Sequence, residues 1–280
     1  MSWLRGKHVL LTGGSRGLGP VIAEALARRG ANLALSARSE TGLRAVAEAL
    51  RPLGVRTVVI AADVAQPAQR AMLVRAALDA FGAIDVLVNN AGLETEGAFT
   101  ATAWDRVRET IEVNLTAPME LTHLLLPHML ERRSGHVVNL SSVGGKSGTA
   151  YDAVYCGTKA GLAEWTHGLR QELAGTGVRF STIFPSYVTE AGMFARFGVK
   201  APWLAGSCTP QQVARAVVDA IERRKVEVIV SSQALRPLLA LAALFPALAD
   251  WLVRRLGIVE FQRRKVGAPA LPVQTDPSRR

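Results

Sequence analysis

The sequence has few cysteines, few histidines and no apolar run long enough to cross a membrane. Its two cysteines, Cys156 and Cys208, form no Cys-x-x-Cys pair, and its five histidines are not clustered. These absences exclude a disulfide framework and a structural zinc site, so we predict no metal. The apolar run at the N-terminus is too short for a signal peptide and ends at a glycine turn. We therefore predict a cytoplasmic protein.

Positive charge is concentrated near the C-terminus. The net charge is +10, and residues 223–280 hold 11 Lys and Arg against 4 Asp and Glu, while residues 1–222 are nearly balanced. These basic residues flank an apolar stretch and are not interleaved with aromatic residues, as a nucleic-acid surface would require. We predict no nucleic-acid partner, and a solvated basic tail that maintains solubility stays an alternative.

Short apolar runs alternate with helical patterns along most of the chain. With 280 residues, 49% of them hydrophobic, the chain can form one sizeable core. Strands that are apolar throughout and are separated by helices indicate parallel pairing through right-handed crossovers. We predict an α/β fold, a Rossmann-type doubly wound parallel sheet of about seven strands with helices on both faces. The predicted strands are 8–12, 32–37, 56–64, 84–90, 135–142, 178–185 and 226–232.

These patterns divide the chain into three predicted segments. Residues 1–232 are predicted to form the catalytic domain, and residues 233–266 an apolar and basic helical appendage. Residues 267–280 are Pro-rich and lack periodicity, so we predict a disordered tail.

A glycine-rich turn, TGGSRGLG at 12–19, joins the first predicted strand to the first helix. An open α/β sheet binds ligands at this position. Gly13, Gly17 and Gly19 permit a tight turn and close approach to a pyrophosphate, which the helix dipole favours. The spacing is not G-x-G-x-x-G, because Ile22 occupies the place of the last glycine. The turn predicts a nucleotide site, although glycines retained for steric reasons alone are the alternative.

Two arginines indicate which dinucleotide binds. Arg38 follows the second predicted strand, where an acidic residue usually contacts the adenosine ribose. A guanidinium can instead bind a 2'-phosphate, and Arg16 in the glycine turn can approach the same group. We therefore predict NADP, with NADPH preferred over NADH. Asp63, after the third strand, is predicted either to bind the adenine edge or to cap the next helix.

A tyrosine and a lysine are candidates for the chemistry. Tyr155 and Lys159 are four residues apart and share one helical face. A nearby ammonium stabilises a phenolate and so lowers the pKa of the tyrosine, which then can exchange a proton with a ketone oxygen. Ser142 ends the preceding strand, where its hydroxyl can hold that oxygen. An ordinary helix with this common pair is the alternative. Tyr151 is predicted to lie on the same helical face, either lining a pocket or packing.

At this point the chain resembles the short-chain dehydrogenase/reductase family over roughly residues 6–232. Its motifs occur in order: TGxxxGxG at 12–19, NNAG at 89–92, the asparagine of VNL at Asn114, Ser142, and YxxxK at 155–159. The resemblance implies that Tyr155 donates the proton, Ser142 orients the carbonyl, Lys159 binds the nicotinamide ribose and Asn114 holds a relay water. The predicted cofactor contacts are Gly13, Ser15, Arg16, Gly17, Leu18, Gly19, Arg38, Asp63, Val64, Asn90, Ala91, Gly92, Tyr155, Lys159 and Val188.

Two positions depart from the family pattern. The first is Pro20, which follows the glycine turn where a polar residue is more common; at the first helical position a proline costs little, so the loop is expected to stay intact. The second lies after the sixth strand, where the chain reads PSYVTE, with Ser186 and Glu190 in place of a glycine and a threonine. A carboxylate near the cofactor phosphates would be repelled, so either Thr189 substitutes or Glu190 points away. Only Val188 is carried over from this motif.

The substrate is predicted from residues 191–208, where the family has a mobile loop. Met193, Phe194, Phe197, Trp203 and Leu204 make this segment apolar, which suits a hydrophobic ketone. Packing against the sheet or a partner subunit is the alternative. We predict an NADP(H)-dependent oxidoreductase that interconverts a ketone and a secondary alcohol on a hydrophobic substrate. A β-ketoacyl-thioester reductase and a non-enzymatic NADP-binding sensor or scaffold remain alternatives, and a homodimer or homotetramer is expected.

The appendage contains 13 uncharged residues, 237–249, interrupted by Pro246. This is shorter than the roughly 20 residues that cross a bilayer. We predict one or two short helices that pack on the enzyme, on a partner subunit or on a membrane surface. In the last case the protein would be peripheral, with the basic residues of 236–265 facing anionic headgroups, including Arg254, Arg255, Arg263, Arg264 and Lys265.

Overall fold

A seven-stranded parallel sheet forms the centre of the fold in the computed structural model, which describes residues 2–190, 192–194, 199 and 201–269. Two short strands, β7 and β8, pair in a separate ladder. Residues 270–280 of the predicted tail lie outside the described residues. The strands are β1 His8–Thr12, β2 Asn32–Ala37, β3 Thr57–Ala61, β4 Val86–Asn89, β5 Gly135–Leu140, β6 Val178–Pro185, β7 Tyr187–Val188, β8 Ser207–Cys208 and β9 Glu227–Val230.

Helices connect the strands and follow the last one. They are α1 Leu18–Ala27, α2 Glu40–Leu50, α3 Pro67–Phe81, α4 Trp104–Ile111, α5 Ala117–Glu131, α6 Ala153–Glu172, α7 Pro210–Glu222, α8 Leu235–Leu244, α9 Pro246–Arg255 and α10 Ile258–Lys265. The appendage therefore holds three helices, where one or two were predicted, because Gly257 adopts a left-handed conformation and starts a third.

The strand order is β3-β2-β1-β4-β5-β6-β9, and every pairing is parallel. The chain moves outward from β1 to β3 and then crosses back to β4, so the order reverses between β1 and β4. Ligands of open α/β sheets bind at such a reversal, beyond the carboxyl ends of the strands. Several predicted strands end early, since residues 62–64, 90 and 141–142 leave the sheet as loops at this edge.

Alternate residues of each central strand pack on opposite faces of the sheet. Val9 and Leu11 belong to one core cluster with residues of α1, α2 and α7, while Leu10 belongs to the other, with residues of α3 and α5. All three are fully buried. This two-sided burial is the reason that the strands are apolar throughout, as the sequence predicted.

Candidate active site

The glycine turn between β1 and α1 forms one end of a cleft at the reversal point. Gly13 and Gly17 have φ values of +67° and +63°, which L side chains rarely adopt. A Cβ on Gly19 would lie 2.1 Å from the carbonyl oxygen of Gly13, so only glycine allows α1 to pack this closely on the turn. The positive end of the α1 dipole therefore lies against the turn, where it favours an anion.

Asn90 braces the glycine turn from β4. Its Nδ2 donates to the carbonyl oxygens of Thr12 and Gly13, at 2.9 and 3.1 Å. The hydroxyl oxygen of Thr12 accepts in return from the backbone N–H groups of Asn90 and Ala91, each at 3.1 Å. The side-chain amide of Asn90 thus holds the cofactor loop in shape, a role that the sequence did not indicate.

Charged groups border the cleft in and beside the glycine turn. Arg16 and Arg38 line it, are exposed, and have no carboxylate partner among the described residues. Asp63 also lines it, and its Oδ1 accepts from the N–H of Ala65 at 3.0 Å, which leaves the other oxygen for a ligand. Two unpaired guanidiniums at this position fit a 2'-phosphate, and together with the glycine turn they fit a phosphorylated dinucleotide.

Tyr155 and Ser142 meet where α6 crosses the end of β5. The Ser142 hydroxyl acts on the Tyr155 hydroxyl in the direction that favours the phenolate and lowers the tyrosine pKa. Burial acts more strongly in the opposite direction, and with the carboxylates of Glu94 and Asp152 it raises the pKa of Tyr155 above its ordinary value. The tyrosine is therefore protonated at neutral pH, which suits a proton donor.

Lys159 lies beneath the tyrosine and is 3% exposed. Its Nζ donates to the carbonyl oxygen of Leu140 at 2.8 Å and lies 5.7 Å from the ring centroid of Tyr155. Burial lowers the pKa of Lys159 to about 8. The sequence predicted that Lys159 lowers the pKa of Tyr155, whereas in this structure burial and the two carboxylates dominate and the tyrosine pKa is raised.

Asn114 lies in a π-helical segment, Glu112–Thr116, between α4 and α5. Its Oδ1 accepts from the N–H of Leu93 at 2.7 Å, and its Nδ2 donates to the carbonyl oxygen of Leu93 and the hydroxyl of Thr158. The wider turn inserts Asn114 between the loop after β4 and the helix of Tyr155. Its side chain is fully buried and does not line the cleft, so the relay role implied by the resemblance stays a prediction.

Nearly all of the predicted site residues border one cleft. Gly19 does not, since it lies behind the turn and acts there by its lack of a side chain. Val188 is buried and lines the cleft, whereas Glu190 is exposed and does not line it, in agreement with a side chain that points away. The predicted site residues that line the cleft are Gly13, Ser15, Arg16, Gly17, Leu18, Arg38, Asp63, Val64, Asn90, Ala91, Gly92, Ser142, Tyr155, Lys159 and Val188.

The placement of Tyr151 was wrong. It was expected on the helical face of Tyr155, but α6 begins at Ala153 and Tyr151 has a left-handed φ of 62°. Its carbonyl oxygen accepts from the N–H of Gly97 at 2.8 Å, and its side chain does not line the cleft.

An acidic cluster beside the tyrosine receives a lysine from the appendage. Glu94, Glu96 and Asp152 have carboxylate oxygens within 4.8 Å of one another. The Nζ of Lys265 on α10 pairs with Glu96, and these side chains are 3% and 4% exposed. Gln262, also on α10, donates to the hydroxyl of Tyr187 at 2.7 Å. These contacts fix the appendage beside the site, and they could not be read from the sequence.

The appendage also encloses the cleft, which has a volume of about 990 Å³. Its apolar walls come from the segment before β8 and from α8 and α9, and they include Met193, Phe194, Leu204, Leu239, Phe245 and Leu252. Phe194 is buried and its ring centroid lies 4.5 Å from that of Tyr187. Trp203 is 75% exposed and does not line the cleft, and Phe197 lies outside the described residues. An apolar chamber thus adjoins Tyr155.

The chain is similar in sequence to known oxidoreductases. The sequence model of the short chain dehydrogenase family matches residues 7–200. The chain is 44% identical over 270 residues to the ketoacyl reductase HetN of Nostoc sp. strain PCC 7120, covering 95% of this chain and 94% of that protein. Coverage of this extent includes much of the appendage.

Two crystal structures are similar in fold. One is a metagenomic short-chain oxidoreductase in complex with NADP, with a TM-score of 0.70 and 31% identity, covering 81% of this chain and 97% of that one. The other is a variant of actinorhodin polyketide ketoreductase with NADPH, with a TM-score of 0.74 and 30% identity, covering 82% and 98%.

Proposed function

Because this chain belongs to the short-chain dehydrogenase/reductase family, we propose that it is an NADP(H)-dependent oxidoreductase that interconverts a ketone and a secondary alcohol on a hydrophobic substrate. One observation carries the proposal. The cleft that contains the glycine turn also contains Ser142, Tyr155 and Lys159, and it continues into an apolar chamber under α8 and α9.

The cofactor, when bound, supplies a hydride to the carbonyl carbon. Tyr155 donates its phenolic proton to the carbonyl oxygen, so the ketone gains the two hydrogens of an alcohol and Tyr155 is left as a phenolate. Ser142 lines the cleft with Tyr155, and its hydroxyl can hold the same oxygen. The raised pKa of Tyr155 favours its return to the protonated form, with the proton drawn from solvent. Lys159 stabilises the transient phenolate from below.

NADP is supported as the cofactor by the two unpaired arginines and by the NADP and NADPH of the two similar structures. Replacing Arg38 by alanine removes a charge-assisted hydrogen bond to the 2'-phosphate. We expect the KM for NADPH to rise roughly tenfold to a hundredfold and the KM for NADH to stay unchanged. Steady-state kinetics with both cofactors measure this.

Arg44→Ala is the matched control for Arg38→Ala. Arg44 is an exposed arginine on α2 that pairs with Glu40 and does not line the cleft. Its replacement should leave both KM values unchanged. An equal KM for NADPH in the Arg38→Ala variant and the wild type would show that Arg38 does not bind the phosphate.

A hydrophobic substrate is supported by the apolar chamber. We expect kcat/KM to rise with the chain length of a ketone, by roughly fourfold for each methylene that enters the chamber, because each buried methylene contributes about 0.8 kcal/mol. A panel of ketones of increasing length, followed by the absorbance of NADPH, measures this. Turnover of short polar carbonyls alone would contradict the hydrophobic assignment.

A β-ketoacyl-thioester reductase is the second candidate. The name of HetN, a ketoacyl reductase, favours it, and the name of the polyketide ketoreductase agrees with reduction of a ketone. The same panel separates the candidates when it includes a 3-oxoacyl group on an acyl-carrier protein and the matching free ketone. A strong preference for the carrier-bound form would support the second candidate. Tight NADPH binding without turnover of any carbonyl would favour the sensor.

A further inference from the structure

Helices α8 and α9 form an apolar hairpin over the cleft, which we call the hairpin (235–255). Phe245 leaves the helical conformation (φ −129°, ψ 67°) and ends α8, since proline disfavours a helical residue before it, and Pro246 opens α9. The helix axes turn by 120° at this break. Within the described residues no single helix is long and apolar enough to span a bilayer, and the hairpin meets those criteria only as a bent pair.

The hairpin has two apolar sides. One side lines the cleft with half-buried residues such as Leu239 and Leu252. The other side faces away from the cleft. There, Leu244 is 73% exposed at the apex, the junction of α8 and α9 at residues 244–246, and Trp251 on α9 is 54% exposed. Leu235 is the only residue of α8 and α9 that is buried. Leu238, Leu241, Phe245 and Leu248, which border the cleft, are also about half exposed. A cluster of several exposed large apolar side chains is typical of an interaction surface.

The outer side is held away from the rest of the protein by its anchorage. The buried pair of Lys265 with Glu96 and the bond from Gln262 to Tyr187 fix α10 on the catalytic domain. The hairpin is connected directly to this fixed helix, so its exposed side cannot fold inward without breaking the packing that lines the cleft. No described residue buries Leu244 or Trp251, so any partner of this side lies outside the part of the chain that the structure describes.

Charge is arranged around the apolar apex. Residues 237–249 are uncharged, Arg236 lies at the base of α8, and Arg254 and Arg255 lie at the end of α9. The one acid of the hairpin is Asp250, which is exposed on α9 next to Trp251, so the hairpin has three positive charges and one negative. All three arginines are exposed, and within the described residues Arg254 and Arg255 have no carboxylate partner. Each helix has ten residues and a length of about 15 Å, close to half of the roughly 30 Å hydrocarbon core. The apex can thus reach into one leaflet while the arginines stay at headgroup level.

We propose that the hairpin inserts its apex into one leaflet of an anionic lipid bilayer and holds the protein at the membrane surface. The uncharged apex, with three exposed arginines against the single acid Asp250 near its base, complements hydrocarbon below anionic headgroups. Trp251, one turn before Arg254 and Arg255, lies at the depth that tryptophan favours. A second copy of the chain fits less well, because a contact of the same patch would bury six arginines against only two aspartates from the two hairpins. The proposal does not depend on the substrate of the cleft.

Vesicle flotation of the full chain tests the proposal. The probes are phosphatidylcholine vesicles with and without phosphatidylglycerol. We expect the protein to float with the anionic vesicles. Leu244→Glu and Trp251→Glu should each weaken binding on the order of tenfold, as expected for removing a large buried side chain from an apolar phase. Arg254→Gln and Arg255→Gln should each weaken binding to the anionic vesicles roughly fivefold.

Trp104→Glu is the matched control, because Trp104 is a similarly exposed tryptophan, 63%, on α4 outside the hairpin. It should float as the wild type does, and NADPH binding should be equal in all variants because neither Leu244 nor Trp251 lines the cleft. Equal flotation of the wild type and the two glutamate variants, or no flotation, would overturn the proposal. A second outcome would also overturn it: light scattering shows a dimer that Leu244→Glu dissociates, and neither the wild type nor any variant binds vesicles.

Discussion

Replacing Tyr155 by phenylalanine is expected to lower kcat by roughly 10² to 10⁴, the range that a positioned general acid contributes. The substitution removes one oxygen and keeps the ring that packs above Lys159. The carbonyl oxygen then has to take its proton from water in a cleft that burial makes poorly solvated. The dissociation constant for NADPH should be unchanged, because the glycine turn and the two arginines are intact. Steady-state kinetics with the best ketone of the panel and fluorescence titration of NADPH measure the two quantities.

Tyr151→Phe is the control for Tyr155→Phe. The two tyrosines are four residues apart, yet Tyr151 lies outside α6 and does not line the cleft. Its kcat should equal that of the wild type. If Tyr155→Phe kept more than about a tenth of the wild-type kcat, the tyrosine would fall below the range of a general acid and another donor would have to be sought.

Replacing Gly19 by alanine is expected to abolish measurable NADPH binding and to lower the free energy of unfolding by about 3 kcal/mol, the upper range for overpacking. The added methyl would lie 2.1 Å from the carbonyl oxygen of Gly13 and 2.8 Å from the Cα of Gly14. Both atoms belong to the backbone of the turn, so the turn itself must move to relieve the clash. Chemical denaturation and NADPH titration measure the two effects.

Gly14→Ala is the matched control in the same turn. A methyl on Gly14 would lie 3.4 Å from Cδ2 of Leu43, an ordinary contact with a side chain. We expect a change in unfolding free energy below about 1 kcal/mol, as for substitutions that keep the packing, and NADPH binding close to that of the wild type. If the two alanine variants behaved alike, the close packing of Gly19 on the turn would not be what holds the nucleotide loop in shape.

Much of the sheet was predictable because each central strand is buried on both faces. Burial on both sides demands an unbroken apolar run, and such a run is visible in the sequence. The ladder of β7 and β8 was not predicted, since two-residue strands have no periodic pattern. The start of α6 was misplaced for a similar reason. The left-handed backbone of Tyr151 is imposed by its surroundings, and nothing about a tyrosine signals it.

The raised pKa of Tyr155 could not be predicted from the spacing of Tyr155 and Lys159. The spacing indicates that an ammonium is near, but it says nothing about burial or about Glu94, which lies 61 positions away in the sequence. The environment that sets a pKa is assembled from several segments, and in this protein the largest contribution comes from burial.

The sequence by itself determined the parallel sheet, the glycine turn and the grouping of Ser142, Tyr155 and Lys159. These features depend on periodicity and on short spacings, which neighbouring residues express directly. Only the tertiary structure decided where the appendage lies. Lys265 reaches Glu96 across 169 positions, and that contact turns an apolar stretch into a wall of the cleft with an exposed outer side. Contacts between distant segments depend on the burial and shape of surfaces that exist only after the sheet has formed.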